Sequence, residues 1–281
     1  MQITGLPEPA LRLAIFVAVF MIMAALEFLW PRRQLRRRRL RRWLTNVGMA
    51  GLASLLVRLL AMAPRLIGAV SLPLAAVGAA LAAEQLGWGV LGLVAWPSWL
   101  EFIVAIVLLD FAIWLQHLAS HKITLLWRLH RVHHADPEFD LTTGIRFHPI
   151  EIVLSMLYKI AWVLVLGPTA MAVLIFELIL NAGAMFNHAN VAIPRWLDAV
   201  LRSVIVTPDM HRIHHSVHPA EHDTNYGFNL SIWDRLFRTY TIAPRDGHAE
   251  MTIGLEQYQN DKPTRLVASL AIPFQRSDRE H

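Results

Sequence analysis

The chain has 281 residues, 55% hydrophobic and only 17% charged, with a formal net charge of +5 and a mean hydropathy of +0.42. That balance is the signature of one integral membrane domain rather than a water-soluble one, and its basic surplus suits an acidic lipid surface. Cysteine is absent, which removes disulfides, thiolate zinc sites and iron–sulfur ligation from consideration.

Residues 13–30 form an apolar stretch interrupted only by Glu27, long enough to cross about 30 Å of hydrocarbon. It lacks the basic start and small-residue cleavage site of a signal peptide. Arg32, Arg33, Arg36 to Arg39, Arg41 and Arg42 follow at once as a stop-transfer block, expected on the cytoplasmic side with anionic lipid rather than nucleic acid as partner. Further apolar segments cover 44–62, 100–116, 150–166 and 169–186. For His117 to return to the arginine side, residues 65–97 must cross the membrane twice or not at all. Segments 150–166 and 169–186, turning at Gly167-Pro168, read as a hairpin of helices that brings Asn187 and His188 back to that same side. Beyond Ala189 no apolar run reaches spanning length. The expected fold is therefore all-α, a polytopic helical bundle of about four to six spans with a histidine-rich cytoplasmic cap of short helices and loops. Trp30, Trp43, Trp96 and Trp99 flank spans as interfacial anchors.

All but His248 and His281 of the fourteen histidines lie between His117 and His222. They are arranged mainly as His117-x3-His121, His130-x2-His133-His134 and His211-x2-His214-His215. Residues three and four apart share a helical face, so each box can aim two or three imidazoles at one ion or divide them between two. Were His121 and His130 on one unbroken helix, they would sit about 180° apart at 100° per residue, so a bend is expected within 122–127. A single such pair is more often incidental, and a dense histidine cluster can also be structural or a pH sensor. Three boxes, with eight or more ligands, favour two metal ions. Imidazole suits zinc, iron, copper and nickel alike, so the ligand type does not name the metal.

Asp110-Phe111, His117-x3-His121, Leu126-Trp127-Arg128, the second box and Arg146-Phe147-His148-Pro149 with Glu151 resemble the fatty acid hydroxylase superfamily, also called the sterol desaturase family. Asn187-His188-Ala189-Asn190, the third box, Asn225-Tyr226-Gly227 and residues 232–240 follow in that family's order. The resemblance covers roughly residues 100–242. Leu118, where many members have arginine, and Arg238, where glycine is usual, depart from the pattern.

The resemblance implies a membrane-bound di-iron oxidoreductase with O2 as co-substrate, hydroxylating or desaturating a C–H bond of a fatty acyl, sterol or related lipid. Electrons would come from an external ferredoxin- or cytochrome b5-like protein. Residues 1–98 would be N-terminal spans with the arginine cluster, 99–242 the catalytic domain and 243–281 a cytoplasmic tail. Carried over residue by residue, the metal ligands are His117, His121, His130, His133, His134, His188, His211, His214 and His215. A metal-bound imidazole needs its second nitrogen held. Asp110, two turns before His117, is expected to serve there, and Asp223 and Asn225 to steady the last box. His148 is expected behind the ligands or as a structural histidine at the Pro149 turn, and His218 and His222 in an outer layer or at the surface. Asp110 and Glu177 should face the bundle interior, and Trp127 and Trp233 should pack the cap. Two alternatives are a membrane metallohydrolase with zinc, which the imidazoles would also take up during purification, and a non-catalytic metal-binding protein. The absence of a His-Glu-x-x-His motif weighs against the first.

Overall fold

The computed structural model of the chain describes residues 2–3, 6–66 and 75–276. Two-residue strands β1 (Gln2–Ile3) and β2 (Leu6–Pro7) pair antiparallel, and the described residues after them form helices and loops. The long helices are α1 (Glu8–Leu29), α2 (Arg39–Leu66), α3 (Ala76–Leu86), α4 (Ser98–Lys122), α5 (Thr124–His134), α6 (Pro149–Leu166) and α7 (Ala170–Asn187). Short helices follow: α8 (Arg195–Leu201), α9 (Pro208–His214), α10 (Pro219–His222), α11 (Ile232–Leu236), α12 (Gly247–Glu250) and α13 (Leu266–Ala271).

Among the described residues six segments are long and apolar enough to cross a membrane: α1, residues 39–62 of α2, Ala76–Leu93, α4, α6 and α7. The chain is an integral membrane protein. The apolar runs of the sequence are helices, and among the described residues no helix after α7 exceeds seven residues. Caps set several boundaries. His148 accepts the N–H of Ile150 with Pro149 in the first turn of α6, and Gly167 ends that helix at φ 64°, a left-handed cap natural to glycine. Thr207 caps α9 by accepting the N–H of Met210, again with proline behind it.

The chain divides into two compact units. The first comprises residues 1–46, 133–146 and 178–269. Its buried ion pairs join the start of α2 to the loop after α5: Arg42 meets Asp136 at 2.7 Å and Asp140 at 2.6 Å. Because Asp136 follows His134 by two residues, the arginine cluster and the second histidine box occupy the same end of this unit. Phe139, Met251 and Ile253 make a buried apolar cluster, and Arg146 donates to Asn46 and Ser269.

The second unit comprises residues 47–132, 147–177 and 270–281. Here α3 and α4 both pack on α6. The expected bend is present: α4 stops at Lys122, Ile123 is extended at φ −99° and ψ 115°, and α5 restarts at Thr124. Glu177 does face inward, where its carboxylate meets Lys159 at 2.5 Å between α7 and α6. Gly89 lies so close to Gly167 that a Cβ would stand 2.3 Å from the Gly167 Cα, and Glu84 accepts the N–H of Ala170 at 2.9 Å. The C-terminal end of α3 therefore sits at the α6–α7 turn. Residues 67–74, part of the stretch whose crossing number was open, lie outside the described residues. Arg128 and Arg131 donate to the carbonyls of Pro273 and Ile272, tying residues 270–275 to α5.

Candidate metal centre

In the first unit four buried histidines converge. His133 lies near the end of α5, His188 directly follows α7, His211 lies within α9 and His215 ends it. One ring nitrogen of each lies within 4.8 Å of those of the others. The Nε2 of His188 is 3.1 Å from the Nε2 of His133 and 3.2 Å from that of His215. Meanwhile the Nδ1 of His188 is 2.8 Å from the Ala184 carbonyl and that of His133 is 3.2 Å from the Arg146 carbonyl. A carbonyl only accepts, so both Nδ1 atoms carry the proton and both Nε2 atoms present lone pairs to each other. Two buried imidazole acceptors face to face at 3.1 Å are a poor arrangement alone and a good one around a cation. The residues present fit a metal ion. Burial first, then the neighbouring imidazoles His133, His188, His211 and His214, push the His215 pKa well down, favouring the neutral form a ligand needs.

His134 and His214 stand beside this quartet with ring centroids 4.7 Å apart. The Nδ1–H of His214 donates to the Thr224 carbonyl at 2.7 Å. That carbonyl lies between Asp223 and Asn225, the two side chains expected to steady this box. Asp223 accepts from the Tyr226 hydroxyl at 2.6 Å, and Asn225, left-handed at φ 52°, donates to the carbonyls of Met210, directly before His211, and of Thr241. His222 is buried 6.0 Å from the His134 ring and 3.2 Å from the Ser216 carbonyl, while His218 pairs with Asp246 toward solvent.

In the second unit His117, His121 and His130 form a triangle of rings, with centroids 5.3, 4.9 and 5.0 Å apart. One nitrogen of each lies within 4.8 Å of the others'. The bend at Ile123 creates this triangle by turning α5 back on α4. His130 Nδ1 is 2.6 Å from Oε1 of Glu151, the first-turn acid of α6. Trp127 lies 5.0 Å from the His121 ring, so it packs against a candidate ligand. Asp110 is buried in α4. His148 is the cap of α6, beside Phe274, and lies outside both histidine groups; burial lowers its pKa. His248 packs near Asp209, and His281 lies outside the described residues.

Four supporting residues, Glu27, Gly144, Phe139 and Asp136, carry no assigned role from sequence. Glu27, noticed only as a break in an apolar run, accepts the N–H of Leu141 at 2.7 Å and of Asn190 at 2.8 Å, pinning the loops that follow the second box and His188. Its signal was a carboxylate inside a span, which is costly unless it is used. Gly144 approaches the Ala184 carbonyl so closely that a Cβ would come within 2.3 Å of it, and that carbonyl orients His188. Phe139 packs against His188 and His215, with the Arg212 guanidinium on its ring. Asp136 is fully buried, which alone would raise its pKa, yet Arg42, Arg146 and Asn46 hold it at about 2, so the loop after the second box carries a permanent charge.

The model of the fatty acid hydroxylase family matches residues 102–239, a segment containing all three boxes and His188. The chain belongs to the fatty acid hydroxylase superfamily. Within this family setting it is 29% identical over 185 residues to the ornithine lipid hydroxylase OlsE of Rhizobium tropici, covering 66% of this chain and 54% of that protein. It is 30% identical over 146 residues to the alkylglycerol monooxygenase of Xenopus tropicalis, covering 52% of this chain and 30% of that one. The human alkylglycerol monooxygenase is 28% identical over 146 residues, with 52% and 32% covered. The chain thus spans about half the length of the first of these relatives and under a third of the alkylglycerol enzymes. No solved structure matches the chain.

Proposed function

We propose that this chain is a membrane-bound oxidoreductase that uses O2 to hydroxylate a C–H bond of a lipid, with iron held by the box histidines. The observation that carries the reading is the pair of buried Nε2 lone pairs facing each other at 3.1 Å on His133 and His188, in a member of this family. His133, His188, His211 and His215 are the ligands of one ion. His117, His121 and His130 are ligands of a second, and His134 and His214 keep the ligand role their family positions imply. When bound, iron supplies the redox chemistry that reduces O2 with electrons from a separate ferredoxin- or cytochrome b5-like protein.

The protein's own residues do the positioning. The carbonyls of Ala184, Arg146 and Thr224 and the Glu151 carboxylate hold the second nitrogen of four imidazoles, fixing ring and tautomer. Phe139, Ala189, Met210 and Ile213, all buried in the same unit, exclude water from around the first-unit histidines. Neither histidine group includes a carboxylate among the described residues, and the carboxylate beside the second, Glu151, is engaged with the Nδ1 of His130.

The relatives act on an ornithine lipid and on alkylglycerols, so the substrate class is a lipid with a polar head. Such a substrate reaches the site from the bilayer without leaving it. The arginine cluster and the second box share one end of their unit, and the positive-inside rule makes that end cytoplasmic. Ala76–Leu93 is apolar enough to span, but its regular helix α3 has eleven residues and rises about 17 Å, roughly half the hydrocarbon core, and with the parity of the other spans we read it as not crossing. That leaves α1, α2, α4, α6 and α7 as full spans and returns every box to the arginine side.

The test is metal content and Mössbauer spectroscopy on protein grown with iron-57, purified anaerobically, then exposed to O2 and reductant with a membrane lipid extract. The expected result is two irons per chain oxidised together and a lipid gaining one oxygen atom. One zinc and no O2-reactive iron would overturn the reading.

A further inference from the structure

The arginine cluster contains a built groove. Arg36, Arg37, Arg38, Leu40, Arg41, Leu44, Asp261 and Thr264 line a recess of about 560 Å³, within the range of small-ligand sites. Its backbone is fixed: Glu138 accepts the N–H groups of Arg36 at 2.6 Å and Arg37 at 2.8 Å. The Arg37 guanidinium is spent on the groove's own lining, bonding Asp261 at 2.6 Å and the Gln259 carbonyl at 2.8 Å. That pair neutralises the only carboxylate of the lining. Arg36, Arg38 and Arg41 remain exposed, and their guanidinium groups make no hydrogen bond or ion pair among the described residues. Three such forks around one recess are an oversupply of positive charge that no group among the described residues answers.

We propose that this groove is a binding site for the phosphate headgroup of an acidic phospholipid. Guanidinium forks match phosphate oxygens in pairs, which gives geometry as well as charge. A lipid is the source rather than free phosphate because the same recess exposes Leu40 by 71% and Leu44 by 66%, one helical turn apart on α2. These leucines stand at the foot of a segment apolar enough to cross the membrane, where an acyl chain continues from the headgroup. The consequence reaches the metal site. The segment the lipid would hold is anchored through Glu138 and, at Arg42, through Asp136 and Asp140, so an occupied groove would brace the loop after the second histidine box. The inference rests on the membrane reading of α2 and not on redox chemistry, so it is tested without turnover.

The experiment is native mass spectrometry of the full chain released from nanodiscs that contain dioleoyl phosphatidylglycerol or dioleoyl phosphatidylcholine. The unmodified protein should retain one phosphatidylglycerol and no phosphatidylcholine. Combining Arg36→Gln, Arg38→Gln and Arg41→Gln should weaken phosphatidylglycerol retention about a hundredfold, roughly fivefold for each arginine. Arg195→Gln, Arg238→Gln and Arg245→Gln together, three exposed arginines elsewhere, should change it less than threefold. Leu40→Ser with Leu44→Ser should weaken lipid retention as well. Equal retention of both lipids by the unmodified protein, unchanged retention in the first triple variant, or displacement of the lipid by equimolar inorganic phosphate would each overturn the proposal.

Discussion

His130 Nδ1 lies 2.6 Å from Oε1 of Glu151, a contact between the last turns of α5 and the first turn of α6. A carboxylate in that place fixes the proton on Nδ1 and leaves Nε2 as the donor to a metal. Outer partners of this kind are worth about 10–100-fold in metal affinity. Glu151→Ala should therefore lower iron retention by that factor with the protein still inserted in the membrane. Glu151→Gln, which keeps an oxygen acceptor, should recover most of it. Equal retention in both variants and the unmodified chain, read by metal analysis after chelator challenge, would show that the contact does not orient the ligand.

Glu27 serves two loops with one oxygen. Replacing it with alanine leaves the buried N–H groups of Leu141 and Asn190 without that acceptor, at about 1–3 kcal/mol each. Glu27→Ala should lower the unfolding temperature in detergent and release metal faster, whereas Glu27→Gln should retain most of the stability. Thermal unfolding with and without added iron separates the two effects.

Lys159 and Glu177 form a buried ion pair between two membrane helices. Breaking it from one side strands a charge, which costs about 3–5 kcal/mol, while replacing both with apolar residues of similar size is often nearly neutral. Lys159→Met and Glu177→Leu should each destabilise strongly, and the double variant should return close to the unmodified protein. A double-mutant cycle of unfolding free energies in mild detergent measures this directly, and additive losses would rule out a structural pair.

His248 is pushed from its usual 6.5 down to about 4, chiefly by burial, with Asp209 opposing and nearby arginines adding to the shift. Its unfolded form thus takes up a proton first as the pH falls. The contribution to stability is fully present above about 6.5 and is lost progressively down to about 4, by at most about 3 kcal/mol. His248→Gln should shrink the fall in unfolding temperature between pH 7 and pH 5, a range above the folded-state value. An unchanged fall would mean that other groups carry the acid sensitivity.

Much of this was readable from the residue order. The apolar runs at 13–30, 44–62, 100–116, 150–166 and 169–186 are helices because a bilayer leaves the backbone no other way to satisfy its hydrogen bonds. The break at Ile123 followed from helical phase alone, since His121 and His130 could face one ion only if the helix bent. What failed to show was the partner of each ligand. Thr224, Arg146 and Ala184 act through carbonyls, which every residue type possesses, so no side-chain pattern marks them.

The sequence by itself determined the imidazole chemistry on offer, the apolar helices and the family, because these depend on residue type and on spacing within one helix. Only the tertiary structure decided which histidines meet. His133, His188, His211 and His215 come from three segments separated by α6 with α7 and by α8, and Glu27 and Gly144 draw the loop after the second box against the end of α7 and the loop after His188. Contacts between distant segments are set by packing and by buried hydrogen bonds, which local periodicity does not encode.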